Sequence, residues 1–287
     1  MNEERWIIYN GTVHKAGELL VTAESRAVWY GDGCFETIRS YKGTFLRLDL
    51  HLERLFGGME YLGMALPAGF EAGTVKEEIL RLLEKNGLLD SAALARIQVW
   101  RKGGRGFDVS SRDGSCYAIS VFMLPELPET ARLATVSTRR IPASAVNPRY
   151  KLSNSINYIR ASTEAAGRHA DDALMLTTGG VISETTMANI FWIKNGTVYT
   201  PSDKCDILPG ITRSLIIKVV AELDDVRLET GEFPPTALFE AEAVWICNSV
   251  KELVPVASVD EYKFALSHPL YERIHSSFLN YRDTILK

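Results

Sequence analysis

The sequence predicts an α/β (α+β) protein of two domains, and three observations carry that prediction. Strand-type apolar runs recur in both halves of the chain, amphipathic helical stripes fall between them, and the proline-marked stretch Pro125-Glu126-Leu127-Pro128-Glu129-Thr130 separates the halves. At 287 residues and 46% apolar content the chain is long enough for one large core or two medium ones. We read a smaller N-terminal α/β domain over 1–124, a linker over 125–131 and a larger domain over 132–287.

Charge narrows the function classes. A formal net charge of -4 shows no basic excess, which argues against nucleic acid or an anionic membrane as the main partner. No apolar run approaches the roughly 20 residues of a membrane span. Met1 to Arg5 lacks the basic-then-apolar order of a signal peptide, so a cytoplasmic location is expected. Cys34, Cys116, Cys205 and Cys247 form no Cys-x-x-Cys pair and read as reduced thiols; the histidines show no metal-ligand spacing, so no metal site is expected.

In chain order, Trp6 to Tyr9, Asn10-Gly11 and Thr12 to His14 read as a β-hairpin. Tyr30 to Arg39 follows, with glycines at 31 and 33 for a sharp turn and Tyr30 and Phe35 beside it; Cys34 to Tyr41 and Thr44 to Leu48 read as strands. Leu48, Leu52, Leu55, Phe56, Met59 and Leu62 form one helical stripe with Arg54 on its flank, where an arginine is either a solvated rim charge or a phosphate contact. Val75 to Asn86 is a second helix. Ala93 to Trp100 is an apolar strand carrying Arg96. A guanidinium there needs an anionic partner or an exit to solvent, which makes Arg96 either an edge-strand arginine or a receptor for a substrate carboxylate. Arg105, in the loop Gly103-Gly104-Arg105-Gly106, is a second candidate receptor, and Cys116 to Leu124 closes the first half as a strand.

In the second half, Arg132 to Ser137 reads as a strand, Ser155 to Ala166 as a helix, and Ala173 to Ser183 as a hairpin. Strands Ile190 to Lys194 and Val198 to Thr200 flank Asn195-Gly196. Ile207 to Arg213 opens an apolar helix whose first-turn N–H groups suit an anion. Val244 to Cys247 is a core strand, and Leu270 to Ile285 a closing helix.

Lys151 sits between a loop ending at Pro148 and a helix, amid Tyr150, Ser153, Asn154 and Tyr158. A lysine amine, a phosphate set and an acid in a strand-to-strand turn are the parts that hold pyridoxal 5'-phosphate. Lys151 would form a Schiff base with the aldehyde and then move a proton on the substrate carbon. Glu184 would face the pyridine nitrogen and keep it protonated. The backbone amides of Ile211 and Thr212, with Arg54 and Ser249, would hold the phosphate.

These residues lie in motifs that resemble the class IV aminotransferases, the fold-type IV pyridoxal phosphate enzymes. The motifs are YGDGCFETIR (Tyr30 to Arg39), HLERL (His51 to Leu55), Lys151 with Asn154, ETTMAN (Glu184 to Asn189), PGITR (Pro209 to Arg213) and Asn248-Ser249. The resemblance spans nearly the whole chain. It implies two α/β domains, the second binding the cofactor, a cofactor in the interdomain cleft, and a homodimer acting on small amino acids and keto acids. By position it implies Lys151 as the catalytic amine, with Arg54, Glu184, Asn189, Ile211, Thr212 and Ser249 as cofactor contacts. Tyr30, Phe35, Arg96, Arg105 and Asn248 would then contact substrate.

The reaction implied is amino transfer between an amino acid or amine and a 2-oxo acid. The alternative inside the family is aminodeoxychorismate lyase, which releases p-aminobenzoate and pyruvate; Gly103 to Gly106 and Ile246 to Val256 look more like it. A cofactor-binding protein without catalysis is a third class, which the retained Lys151 argues against.

Overall fold

Asn10 and Gly11 take φ values of 47° and 82°, the left-handed pair of a type I′ turn, and join β1 (Trp6–Tyr9) to β2 (Thr12–Lys15). The computed structural model describes residues 5–103, 105–109 and 114–287. Two compact units emerge: Met1–Pro125 with Tyr150–Ser155, and Glu126–Arg149 with Ile156–Ile285.

In the first unit a short helix, α1 (Arg26–Tyr30), precedes the strand at Gly33. The Ser25 hydroxyl accepts the Ala27 N–H at 3.3 Å to start the helix, and Gly31 ends it at φ 61°. There follow β3 (Gly33–Tyr41), β4 (Thr44–Phe45), α2 (Leu48–Tyr61), α3 (Ala72–Lys85), β5 (Ala92–Arg101) and β6 (Ser115–Met123). The strand expected to run to Leu48 stops at Phe45, because Arg47 turns to φ 53° and the chain enters α2 at once. The sheet order is β2-β1-β6-β5-β3-β4, antiparallel throughout. Leu52, Leu55 and Met59 of α2 join Val75, Ile79 and Leu82 of α3 in one core with Ile38, Ile97 and Ile119. Strand alternation therefore turns Cys34, Glu36 and Ile38 inward, and leaves Phe35 and Thr37 half-buried on the other face.

Tyr150–Ser155 belongs with this first unit, whereas the sequence reading put it in the C-terminal domain. The reason is a strand edge. β4 pairs only with Ser40 and Tyr41, and the open start of β3 takes the lysine segment instead. The Phe35 N–H donates to the Lys151 carbonyl and the Ser153 N–H to the Gly33 carbonyl, both at 2.9 Å.

The second unit contains β7 (Ala131–Thr135), α4 (Ile156–Gly167), β8 (Asp172–Leu176), β9 (Ile182–Thr185), β10 (Asn189–Lys194), β11 (Thr197–Pro201), α5 (Ile211–Ala221), β12 (Arg227–Gly231), β13 (Ala243–Asn248), β14 (Glu252–Val259), β15 (Tyr262–Lys263) and α6 (Pro269–Ile285). Its mixed sheet runs β12-β11-β10-β13-β14-β7-β8-β9, with β15 on β14. Ala161 and Ala165 of α4 pack on Ala134, Ala173 and Met175. Pro255 sits in β14, an interior strand, and lacks a donor. The ladder toward β7 begins only at Val256, beyond the proline. Among the described residues no helix is long and apolar enough to cross a membrane.

Candidate active site

Lys151 is half-buried, and its Nζ lies 4.7 Å from the centroid of the Phe35 ring. The Arg96 guanidinium carbon lies 4.0 Å from the same centroid. One aromatic ring thus lies against both side chains. Register explains the grouping: Arg96 is opposite Thr37 and Gln98 opposite Phe35, all on the half-buried face. Arg96 donates to Gln98 Oε1 at 3.0 Å, and Gln98 Nε2 donates to Ser153 Oγ at 2.6 Å, two residues from Lys151. Burial pulls the Arg96 pKa below the ordinary guanidinium value, and no ion pair to a described carboxylate offsets that burial. Gly33 makes the close approach possible, since a Cβ there would meet the Val99 carbonyl oxygen at 2.2 Å.

Arg54 is held by an acid that sequence reading overlooked. Its Nε donates to Glu36 Oε1 at 2.6 Å and Nη2 to Oε2 at 3.0 Å, while His51 Nδ1 meets Oε2 at 2.8 Å. Glu36 has no solvent exposure. Burial pushes its pKa up, but the Arg54 charge and the His51 hydrogen bond outweigh it and hold the carboxyl at about 2. The signal was visible in one respect: an acid at an inward position of β3 faces a helix that presents His51 and Arg54 on one side.

Tyr30 is tied to the loop that follows β5. Its hydroxyl accepts the Gly106 N–H at 2.9 Å, and its ring lies 5.3 Å from Phe107. Asp32 anchors the start of this loop by accepting from Arg26 Nε at 2.7 Å and Arg101 Nε at 3.0 Å. Arg105 is exposed, and Gly104 beside it lies outside the described residues.

In the second unit Glu184 is a buried carboxylate surrounded by donors. Tyr158 Oη donates to Oε1 at 3.0 Å, Arg140 Nε lies 3.2 Å from Oε1, and Asn189 Nδ2 and the Leu208 N–H donate to Oε2 at 3.2 and 3.0 Å. Burial and the Glu184 charge drive the Tyr158 phenol far above its ordinary pKa, so it remains a donor. Arg140 was not singled out from sequence, and Tyr158 only as a neighbour of Lys151. Arg140 lies in an irregular stretch with no periodic signal, held by the Asp206 carbonyl at 3.2 Å and Asn157 Oδ1 at 3.0 Å.

Asn189 braces Glu184 and also donates to the Leu208 carbonyl at 3.0 Å. The start of α5 has no side-chain cap, Gly210 standing at that position, with Ile211 and Thr212 buried behind it. Ser249 lies in the turn after β13. Asn248 Nδ2 donates to the Met187 carbonyl at 3.0 Å, and Oδ1 accepts from the Val250 and Lys251 N–H groups at 2.9 and 2.7 Å. Its amide shapes that turn.

A family model described as amino-transferase class IV matches residues 33–259. The chain is 34% identical over 259 residues to a putative branched-chain-amino-acid aminotransferase of Methanocaldococcus jannaschii, covering 88% of each. It is 30% identical over 266 residues to the aminodeoxychorismate lyase of Bacillus subtilis, covering 90% of this chain and 88% of that protein. Among solved structures, the branched-chain aminotransferase of the thermophilic archaeon Thermoproteus uzoniensis with norvaline superposes with a TM-score of 0.88 at 25% identity, covering 97% of this chain and 94% of that one.

Proposed function

We propose that this chain, which belongs to the class IV aminotransferases, uses pyridoxal 5'-phosphate to move an amino group between an amino acid or amine and a 2-oxo acid. The residues fit that cofactor in kind: a half-buried amine at Lys151, a buried acid ringed by donors at Glu184, and a helix start at Ile211 with no side-chain cap. The bound cofactor supplies an aldehyde carbon for the amine and a ring that accepts electrons from the substrate carbon. Lys151 would hold that aldehyde carbon through its amine and, once the substrate amine has displaced it, would carry the proton to and from the substrate α-carbon. Glu184, met by donors from Tyr158, Arg140, Asn189 and the Leu208 amide, would face the ring nitrogen and keep a proton on it. The Ile211 and Thr212 amides, with Arg54 and Ser249, would take the phosphate.

The observation that carries this reading is the placement of Lys151 and Arg96 against one ring. A half-buried guanidinium with no carboxylate partner among the described residues, against the same ring as the Lys151 amine, suits a carboxylate one bond from the reacting carbon. Exposed Arg105 is the weaker candidate for that task. Tyr30 and Phe35 line the same pocket. We place the enzyme in the cytoplasm as a homodimer. Four free, buried cysteines suit a reducing compartment, and exposed Ile156 and Ile159 on α4 suit cover by a second copy.

The test is a substrate panel of L-leucine, D-alanine, an (R)-amine and aminodeoxychorismate, each followed by product formation. Donor-dependent conversion of a 2-oxo acid to an amino acid supports the reading. The R96L variant should raise KM for amino acids about tenfold or more while leaving an amine that lacks a carboxylate unaffected. The likeness to an aminodeoxychorismate lyase favours a second reading; release of p-aminobenzoate without amino transfer would establish it instead.

A further inference from the structure

We propose that Glu36 is a positioning residue for phosphate recognition, holding the Arg54 guanidinium in the one orientation that serves the cofactor, with His51 holding Glu36 in turn. The inference rests on the reading that Arg54 contacts the cofactor phosphate. Arginine has five N–H donors in a planar fork, and a phosphate is best met by two of them together. An arginine on the flank of a helix has many rotamers, most of which turn that fork away. Here Nε and Nη2 are both taken by one carboxylate, at 2.6 and 3.0 Å, which fixes the plane of the fork.

The acid is placed by three independent constraints. Strand alternation points Glu36 into the core of the first unit, between the inward residues Cys34 and Ile38. Burial is complete, so the carboxylate cannot exchange its partners for water. His51, one helical turn before Arg54 on α2, contacts Oε2 at 2.8 Å and sets the carboxylate's own angle. The pair does not add positive charge to the phosphate contact, since Glu36 offsets part of it. What it supplies is orientation, and a change at Glu36 should therefore be felt, in cofactor binding, through the phosphate alone.

The full-length protein, stripped of cofactor, is titrated with pyridoxal 5'-phosphate and with pyridoxal, which lacks the phosphate. Comparison of the parent with E36Q, R54Q and the double variant separates the possibilities. E36Q should weaken pyridoxal phosphate binding roughly 10- to 100-fold, the scale seen when the partner that orients a metal-ligating side chain is removed. Pyridoxal binding should stay at the parent value, and E36Q should add nothing on the R54Q background. Equal weakening of both compounds by E36Q, or a full additive loss on R54Q, would show an ordinary core ion pair and overturn the proposal. If R54Q itself leaves the ratio of the two affinities unchanged, the phosphate reading of Arg54 fails, and the proposal with it. Should E36Q not fold, E36D keeps the charge but shortens its reach. A selective loss for the phosphorylated compound is then expected, and an unaltered ratio overturns the inference.

Discussion

Gly210 sets a charged group by what it lacks. A Cβ at this position would stand 2.1 Å from Asn189 Oδ1, so any larger residue displaces the amide that donates to Glu184. G210A should destabilise the fold by about 1–3 kcal/mol, the usual scale of overpacking. In a denaturant titration its effect should be less than additive with N189A, because both act on one contact. Glu36 gives a second expectation, in pH. Its pKa is lowered on folding, from 4.5 to about 2, so its contribution is present above pH 4.5 and is lost as pH falls toward 2. The parent should therefore lose stability across that window more steeply than E36Q, as read from denaturation midpoints at successive pH values. A parent and E36Q with parallel pH profiles would contradict the assignment of an ionised, paired acid.

Among the elements, the hairpins were the most legible in the sequence. Asn10-Gly11 and Asn195-Gly196 both take positive φ and both join adjacent antiparallel strands, since the turn type is written in two neighbouring residues. α2 was legible from its stripe for the same reason: its determinants are local. β12 and β14 were not recognised as strands. Glu252 to Val259 carries Pro255, which counts against an interior strand unless the neighbouring ladder starts beyond it. α1, at five residues, is too short for periodicity to show. At this scale Gly33 is the position to test. G33A would force β3 away from the Val99 carbonyl and disturb the edge that holds Lys151. It should lower activity at least tenfold at temperatures where circular dichroism still reports a folded protein.

At the scale of the molecule, the family followed from motif order, and most of the proposed site residues were named from those motifs. The contacts that position them were not legible. Glu36 meets Arg54 across a strand and a helix, Arg140 meets Glu184 across 44 residues of chain, and the lysine segment joins the first unit through a strand edge. Each depends on which element lies beside which, a property of the folded chain that no local pattern encodes. The claim on which the account depends is that the Lys151 amine bonds the cofactor. Borohydride reduction of the holoenzyme, followed by proteolysis and mass spectrometry, tests it directly. A phosphopyridoxyl mass addition is expected on the peptide containing Lys151, with no transamination by the K151A variant. An addition on a different lysine, or a K151A variant that converts substrate at the parent rate, would contradict it.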